Sequence, residues 1–475
     1  SRQPGGLSDI AFDENAQQSN RDRNWFKVNW NLASFSMEYH IKPKLTLYSK
    51  LFSLVARRTS LGLRDNPTKP DIGKNRDLLD GKFRNIGNET KLVHNYSLGK
   101  QENTFLLGAR LYRGLTNFSQ GFGTDGSGAD FSSVDLNNLN SLTDEKNTSD
   151  IDFPNFNLAL FTENIIRLSK NLSLIPGIRY EYIQTKAEGG FIENGLDSLQ
   201  STNKNRHLLL IGLGSSLKIT PSLELYSNIT SNYRAINFTD IQVTSATQVV
   251  DPNTTDERGY SLDIGLRKRN YNKVYLDASL FFIRYANRIG TILDDGLQLR
   301  TNIGKANIYG FESFVDFNIL KIAGIKRSNH KATVFINSAV SKGFYRDINE
   351  RASSGVRSGN RIENLPLYNI KSGISYGYKD FGCSFQGTYI SAQYSDANNS
   401  TLKNESTNGV QGVIPAYFVL DFSAKYVVNK RLNIGLSVNN ITDVQYFTRR
   451  ATGYPGPGIL PAQGRTWFLS AGLTF

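Results

Sequence analysis

The residues best suited to binding chemistry are arginines near the two ends of the chain. An Arg guanidinium is permanently charged and can donate two parallel hydrogen bonds to one carboxylate or phosphate. The candidates for contacting an anionic ligand are Arg2, Gln3, Arg21 and Arg23 in the first segment, and Arg449 and Arg450 in the last. A second set lies in other polar segments: Arg57, Arg58, Arg64, Arg346, Arg351 and Arg357. The competing interpretation is that each is ordinary solvated surface charge, although a net charge of +13 would steer anions toward the protein.

Other chemistries find little support in the residue types. The lone Cys383 rules out a disulfide framework and a cysteine metal site. Four scattered histidines show no ligand spacing and no pairing with a nucleophile: His40, His94, His207 and His330. The carboxylates between Asp125 and Asp130 match no established calcium loop. Lys and Arg occur singly or in pairs without a basic helix, so we expect no nucleic-acid partner. From the cysteine, histidine and carboxylate patterns we expect no resident metal or cofactor and no enzyme activity.

The elements that must position these arginines are predicted to be long strands. Phe105, Leu107 and Leu111 share one face of a strand, whereas Gly108 and Arg110 share the other. The segment 172–182 alternates in the same way, whereas 45–55 does so less strictly, because Tyr48 and Phe52 share the face of Lys50. Hydrophobic residues make up 39% of the chain, and no run of eighteen apolar residues occurs, which excludes a helical membrane span. Alternation fits membrane strands with an apolar lipid face, and also a soluble sandwich with one wet face.

The connections distinguish these two folds. Short turns are predicted near 43, 99–103, 170–171, 220–222, 271–273, 380–382 and 429–430. Long polar stretches occupy about 59–82, 117–152, 190–204, 240–256, 346–360, 397–412 and 449–464. Short turns alternating with long loops are typical of outer-membrane barrels, with turns on the periplasmic side and loops outside. The fold class predicted is therefore all-β, a transmembrane antiparallel β-barrel.

The strand count makes this prediction more specific. Seventeen strands are predicted, at 24–41, 44–58, 82–98, 103–116, 153–169, 172–188, 205–219, 222–238, 257–270, 273–293, 297–319, 329–345, 361–379, 382–397, 413–428, 431–448 and 465–475. Residues 1–23 would form an extracellular loop, and 24–475 would be barrel strands. Single-chain bacterial barrels have an even strand number. We therefore expect an odd number of strands to precede Ser1, and five would complete the 22 of plugged transporters.

Three segments carry a resemblance to a known family. The segment LNIGLSVNNITDVQY, Leu432 to Tyr446, together with Gly464 and Arg465, resembles the penultimate-strand signature of TonB-dependent receptors. The last strand resembles the terminal strand of outer-membrane proteins, which the barrel-assembly machinery recognises; its signature residues would be Trp467, Leu469 and Phe475. The segment SNYRAINFTD, 231–240, is similar to the family's strand-to-loop pattern, which makes Arg234 a ligand-binding candidate, with a rim salt bridge as the alternative.

Two further segments narrow the resemblance to the ferric-dicitrate type. These are QPGGLSD at 3–9 with NRDRNW at 20–25, and FTRRATGYPGPGILP at 447–461. The resemblance implies a receptor in the bacterial outer membrane that binds an anionic ferric chelate, either ferric citrate or another siderophore. Import would draw energy from the TonB-ExbB-ExbD complex through an N-terminal plug, which we expect to be absent from this chain. Membrane lipids and lipopolysaccharide would surround it. The alternatives are a receptor for a glycan, peptide or other nutrient, and an outer-membrane barrel enzyme.

Overall fold

The computed structural model describes most of the chain. The described residues are 4–19, 21–63, 65, 68, 71, 73–135, 148–193, 196–237, 240, 248–270, 273–294, 297–325, 329–349, 352, 355–401, 408–451 and 457–474. Within these ranges, no helix is long and apolar enough to cross a membrane.

Nearly all of the regular structure is β-strand. In chain order the strands are β1 (Trp25–Lys42), β2 (Leu45–Gly62), β3 (Asp77–Leu98), β4 (Gln101–Gly123), β5 (Ser133–Val134), β6 (Thr148–Arg167), β7 (Leu172–Glu193), β8 (Leu196–Thr220), β9 (Leu223–Arg234), β10 (Gln248–Val250), β11 (Glu257–Asn270), β12 (Val274–Asp294), β13 (Leu297–Asn318), β14 (His330–Ile348), β15 (Tyr368–Tyr378), β16 (Phe381–Ile390), β17 (Gln393–Tyr394), β18 (Val413–Ile414), β19 (Tyr417–Val427), β20 (Leu432–Asn439), β21 (Phe447–Ala451), β22 (Gly458–Pro461) and β23 (Thr466–Leu473). Two short helices, α1 (Asp9–Glu14) and α2 (Ile319–Ile322), complete the described elements.

One sheet of 19 strands contains every long strand. Neighbours along the chain pair antiparallel, for example β1 with β2 and β3 with β4, and the short β10 pairs parallel with β13. The remaining four strands form two small sheets, β17 with β18 and β21 with β22. Each of the seventeen predicted strands coincides with a long strand of the sheet, so the predicted all-β antiparallel fold is confirmed.

The chain forms two compact units. The first comprises Ser1–Gly214 with the later segments Thr407–Val410 and Ala451–Ile459. The second comprises Ser215–Ser406, Gln411–Arg450 and Leu460–Phe475.

The long strands of the first unit present two unlike faces. Leu107 and Leu111 of β4 are 51% and 49% exposed, and the register continues this apolar face onto β3 and β6. The opposite face is polar: Arg110 lies 5.7 Å from the centroid of the Phe52 ring, and Lys91 forms a 2.6 Å ion pair with Glu89. The alternation seen in the sequence therefore does separate an exposed apolar face from a charged one.

Connection lengths match the predicted asymmetry, with one exception. Turns of a few residues join β1 to β2, β3 to β4 and β15 to β16, whereas long connections follow β2, β4 and β14. The long loop predicted at 190–204 was wrong, because β7 continues to Glu193 and β8 begins at Leu196. The polar composition of that stretch correctly indicated contact with water. A strand that extends beyond the apolar band also contacts water, and it does so while its backbone stays paired with the neighbouring strand.

The connection after β14 folds onto a small core of the second unit. Ile292, Ile303, Tyr345, Val356 and Ile362 are nearly inaccessible and pack together. The Tyr345 hydroxyl donates to Glu363 at 2.7 Å, and Arg288 lies 3.5 Å from the same carboxylate. A buried cluster of this kind holds a loop in one conformation, because opening it would expose both the apolar groups and the ion pair.

A charge placed in the apolar face tests its contact with lipid. We expect Leu160→Arg, at a position that is 50% exposed, to destabilise the folded protein by about 2–4 kcal/mol, since hydrocarbon solvates a guanidinium poorly. The measurement is the urea midpoint of unfolding from lipid vesicles. Leu98→Arg, on the same face at the turn end of β3, is the control and should cost at most about 1 kcal/mol. Equal losses for the two variants would contradict the assignment of the apolar face to lipid.

Candidate functional site

Four of the predicted ligand-binding arginines lie just before β1 or within β21. Arg21 and Arg23 precede β1, and Arg449 and Arg450 lie in β21. Arg234 is the last residue of β9. Arg2 and Gln3 lie outside the described residues, as do Arg64 and Arg351 of the second set.

Arg23 is buried and braces three segments of the chain. Its guanidinium forms an ion pair with Asp71, in which Nε donates to Oδ1 at 3.0 Å. It also donates to the carbonyl oxygens of Lys74, at 3.1 Å, and Asp125. Only 9% of the residue is exposed. These contacts occupy the Arg23 guanidinium inside the protein. Its contact with a ligand stays a prediction, and it would require these hydrogen bonds to break.

Arg21 is held in a similar way. It is 2% exposed, and its guanidinium donates to the Asp65 carbonyl oxygen at 3.0 Å. Its side-chain stem packs on Gly5, where an added Cβ would lie 2.2 Å from the Arg21 Cγ. Burial lowers the pKa of Arg21, against the opposing attraction of Asp71 and Asp65. Glycine at position 5 is therefore needed for the close approach of this arginine to the first segment.

Arg76 is a bracing residue that the sequence did not single out. It is fully buried, and it donates to the carbonyl oxygens of Thr124 at 2.9 Å, Gly128 at 2.7 Å and Arg23 at 3.2 Å. Its second Nη donates to the Thr124 hydroxyl at 2.9 Å. Burial lowers the pKa of Arg76. A lone Arg just before a strand carries no sequence signal for this role, because its partners lie about fifty residues away.

Arg234 belongs to a four-residue network built on two buried carboxylates. It donates to both oxygens of Asp240, at 2.8 and 2.9 Å, and to Glu257 at 2.9 Å. Arg300 adds a 2.7 Å hydrogen bond to Asp240. Both carboxylates are buried, Asp240 completely. This geometry matches the salt bridge that the sequence analysis gave as the alternative role of Arg234. Binding of a ligand by Arg234 stays a prediction.

The network also fixes the backbone after β9. Burial by itself would raise the pKa of Asp240, but hydrogen bonds from Arg300, the Asn237 backbone and Arg234 leave that pKa below its ordinary value. Glu257 accepts from the Ile289 backbone N–H at 2.9 Å. The two carboxylates thus attach the segment after β9 to strands β11, β12 and β13.

The two neighbouring arginines of β21 have opposite environments. Arg450 is 8% exposed, donates to the Val413 carbonyl oxygen at 2.9 Å and lies 5.1 Å from the centroid of the Phe447 ring. Arg449 is exposed, as is Thr448, whereas Phe447 and Ala451 are buried like Arg450. Arg449 is therefore free to contact a ligand, whereas Arg450 holds β21 against the segment near Val413.

The first segment of the chain is clamped to parts of the sequence near the C-terminus. The Leu7 backbone exchanges two hydrogen bonds with Ile459, at 2.9 and 2.7 Å. Gly409 and Gly458 both adopt positive φ, and a Cβ on either would lie within 2.6 Å of the Leu7 carbonyl oxygen. Two segments that the sequence proposed as loops of one receptor type are thus in direct contact.

The family-like signature around position 440 has a structural explanation. Asn440 and Asp443 both adopt positive φ in the turn after β20. Asn440 accepts from the Val444 backbone at 2.9 Å, and Asp421 accepts from the Asn440 backbone at 2.8 Å. Asp443 accepts from the Arg465 backbone at 2.8 Å. Asn and Asp tolerate positive φ better than other side chains, so this turn requires these residue types.

The C-terminal strand presents its apolar residues outward. Trp467 and Leu469 are 64% and 81% exposed, while Phe475 lies outside the described residues. Recognition of this strand by an assembly machinery stays a prediction.

Four of the predicted arginines remain available to an external anion. Arg58, Arg346, Arg357 and Arg449 are exposed, and no ion pair involves them within the part of the chain that the structure describes. Arg58 lies 5.1 Å from the centroid of the Phe26 ring. Over the described residues, no group of three or more His, Cys, Asp or Glu side chains could hold a metal ion. That the protein has no resident metal or cofactor stays a prediction. The arrangement can bind an anion through charge-assisted hydrogen bonds. Among the candidates of the first and last segments that the structure describes, Arg449 is the exposed one.

A sheet of long strands with an exposed apolar face and braced polar connections defines a membrane protein that crosses the bilayer with strands. The sequence model of the family described as TonB dependent receptor-like, beta-barrel matches residues 2–441. The chain belongs to this family of outer-membrane receptors, which are not enzymes.

Individual relatives are distant. The chain is 19% identical to the probable TonB-dependent siderophore receptor PiuA of Acinetobacter baumannii, over 96% of this chain and 62% of PiuA. It is 20% identical to the metal-pseudopaline receptor CntO of Pseudomonas aeruginosa, over 70% of this chain and 42% of CntO. The crystal structure of the ferric citrate transporter FecA in the unliganded form has a TM-score of 0.77 at 19% identity, covering 99% of this chain and 65% of FecA. The chain thus spans less than two thirds of each relative.

Removing the charge of Asp240 should loosen the segment after β9. Asp240→Asn leaves Arg234 and Arg300 without their shared counter-charge, and we expect a local loss of about 1–3 kcal/mol. Faster hydrogen–deuterium exchange in the peptide that contains Asp240 would measure it. The control is Asp347→Asn, which removes an exposed carboxylate 3.0 Å from Lys305 and should cost at most about 0.5 kcal/mol. Unchanged exchange in Asp240→Asn would show that the network does not hold this segment.

The same network should respond to acid. Since the pKa of Asp240 is lower in the folded protein than in the unfolded chain, its stabilising contribution is fully present above about pH 4 and is lost as the pH falls further. Exchange of this peptide, corrected for the intrinsic rate, should stay constant from neutral pH to about pH 5 and rise only below about pH 4. In Asp240→Asn the acid-dependent rise should be reduced. A rise that begins near neutral pH would contradict the assignment.

Proposed function

We propose that this chain provides the ligand-binding portion of a TonB-dependent receptor that imports an anionic ferric chelate, with ferric citrate as the first candidate. The observation that carries the proposal is the division of the loop arginines into two groups. Arg23, Arg234 and Arg450 are engaged with carboxylates or carbonyl oxygens of the protein itself. Arg346, Arg357 and Arg449 are exposed without such partners in the described residues.

This division suits a receptor for a small anion. The braced arginines hold the connections in defined conformations, so a ligand would meet a surface that is already ordered, which lowers the entropic cost of binding. The exposed arginines would supply bidentate contacts to carboxylates. We propose Arg449 as a direct contact, and Arg21, Arg23, Arg234 and Arg450 as residues that hold their own loops in place.

The names of the similar proteins support a metal chelate over other nutrients. FecA is titled a ferric citrate transporter, PiuA a probable siderophore receptor and CntO a receptor for metal-pseudopaline. All three names describe a metal held by an organic chelator. The sequence segments at 3–9, 20–25 and 447–461 favour citrate among the chelators.

Energy coupling and assembly follow as parts of the same proposal. Family membership implies transport driven by the TonB-ExbB-ExbD complex, and this chain would depend on a plug domain for that contact. We propose that the C-terminal strand with Trp467 and Leu469 is recognised by the barrel-assembly machinery. The further strands and the plug before Ser1 stay predictions.

Charge reversal at Arg449 tests the ligand contact. We expect Arg449→Glu to weaken binding of ferric citrate by about tenfold or more, because a charge-assisted hydrogen bond is replaced by repulsion. The loss should shrink as salt is raised. Equilibrium binding of radioactive ferric citrate to isolated outer membranes measures it. Lys170→Glu, an exposed basic residue in the turn after β6, is the matched control and should bind normally.

The same assay tests the identity of the ligand independently of the assignment as a receptor. Binding of an uncharged ferric hydroxamate should be absent in every variant. If Arg449→Glu binds ferric citrate as tightly as the unchanged protein, Arg449 is not a contact. If the unchanged protein binds another chelate and not ferric citrate, the citrate assignment is wrong and the receptor class stands.

A further inference from the structure

Asp240 attaches the segment after β9 to a line of alternating charges. It accepts hydrogen bonds from Arg300 of β13 at 2.7 Å and from Arg234, the last residue of β9, at 2.8 Å. Arg234 also donates to Glu257, the first residue of β11, at 2.9 Å. The Asp240 side chain is fully buried and that of Glu257 is 4% exposed, so water cannot take the place of these arginines.

The connection after β14 is held by a similar group. Glu363 lies in this connection, and its carboxylate is 3.5 Å from the Arg288 guanidinium of β12. The Tyr345 hydroxyl of β14 donates to Glu363 at 2.7 Å and accepts from the Arg288 Nε at 3.3 Å. Tyr345 is fully buried, and the Glu363 side chain is 13% exposed. Arg288 therefore holds this connection in the way that Arg234 holds the segment after β9.

A bulge in β12 brings the two groups together. The pairing of β12 with β13 shifts register on both sides of Arg288, and Asn287 adopts a positive φ of 55°. A bulge re-aims a side chain out of the regular alternation of a strand. The Ile289 N–H, next to Arg288, donates to Glu257 at 2.9 Å, and the Glu257 carboxylate attracts the Arg288 guanidinium. Glu257 is thus shared between Arg234 and Arg288.

The two groups form one continuous line within the second unit, which we call the charge chain. Its members, in spatial order, are Arg300, Asp240, Arg234, Glu257, Arg288 and Glu363. The three arginines balance the three carboxylates, so the charge chain is neutral as a whole. Removing one carboxylate leaves a surplus positive charge that the other two must share, and burial makes such a surplus costly.

We propose that the charge chain couples the segment after β9 to the connection after β14, so that the two become ordered or mobile together. Without Glu363, the charge of Arg288 would be left to Glu257. Arg234 would then share Glu257 more evenly and hold Asp240 less firmly. The coupling acts equally in both directions, because it is a free energy that belongs to both ends. It is a property of the loops themselves and does not rest on the proposed ferric ligand.

The test removes the charge at one end and measures order at the other. Hydrogen–deuterium exchange is followed on protein extracted from outer membranes, in the peptide that contains Asp240. We expect Glu363→Gln to speed exchange there by about threefold to tenfold, although the two residues are far apart in sequence. Conversely, Asp240→Asn should speed exchange in the peptide that contains Val356 to a similar degree.

Removal of a second charge should restore the order. Arg288→Gln combined with Glu363→Gln removes one cation and one anion, so the charge chain is neutral again and Glu257 is left to Arg234. Exchange in the peptide that contains Asp240 should then return to within about twofold of that in the unchanged protein. Loosened packing would not produce this reversal, since the double variant disturbs the connection after β14 more than Glu363→Gln does.

Two controls separate charge from packing. Val356→Ala removes a buried apolar contact of the same connection and should speed exchange in its own peptide alone. Asp347→Asn removes an exposed carboxylate that lies outside the charge chain and should change neither peptide.

Three results would overturn the proposal. These are unchanged exchange around Asp240 in Glu363→Gln, an equal rise there in Val356→Ala, and no recovery in the double variant. Mobility on unheated gels confirms that each variant is folded. If Glu363→Gln prevents folding, Tyr345→Phe, which removes only the hydroxyl bonded to Glu363, is measured in its place.

Discussion

Backbone hydrogen bonding is the constraint on which the rest of this structure depends. In hydrocarbon, an unpaired N–H or C=O group costs several kcal/mol, so strands that cross a membrane must pair along their whole length. The ladders between β2 and β3 and between β3 and β4 are continuous over the length of the strands. This requirement fixes the register, and the register in turn decides which side chains face lipid and which face the polar side.

Charge is used in three different ways on that scaffold. On the polar face, short ion pairs such as Lys91 with Glu89 neutralise side chains within one strand. At the loop ends, buried arginines such as Arg76 join segments that are far apart in sequence by donating to backbone carbonyl oxygens. The exposed cations form the third group, and they are the ones left to attract an anionic ligand from outside.

The loop braces show why a receptor would retain buried charge. A buried ion pair contributes little net stability, because desolvation offsets most of the attraction. A buried ion pair does specify the conformation of a loop. Any other loop conformation would leave Asp240 or Arg23 buried without its partner. An ordered set of loops with a few exposed arginines is a better binding surface than a mobile one, because less freedom is lost when the ligand arrives.

The sequence by itself determined the strands, their faces and the receptor-like signatures, because period-2 alternation and turn residues such as Asn440 and Asp443 are local properties of the chain. It also identified the arginines of the first and last segments. Only the tertiary structure decided which of them are free: Arg449 and Arg450 are adjacent and chemically identical, yet one is exposed and the other is buried against Val413 and Phe447. That difference depends on partners brought together by folding, as does the role of Arg76, and such contacts leave no pattern at short sequence separation.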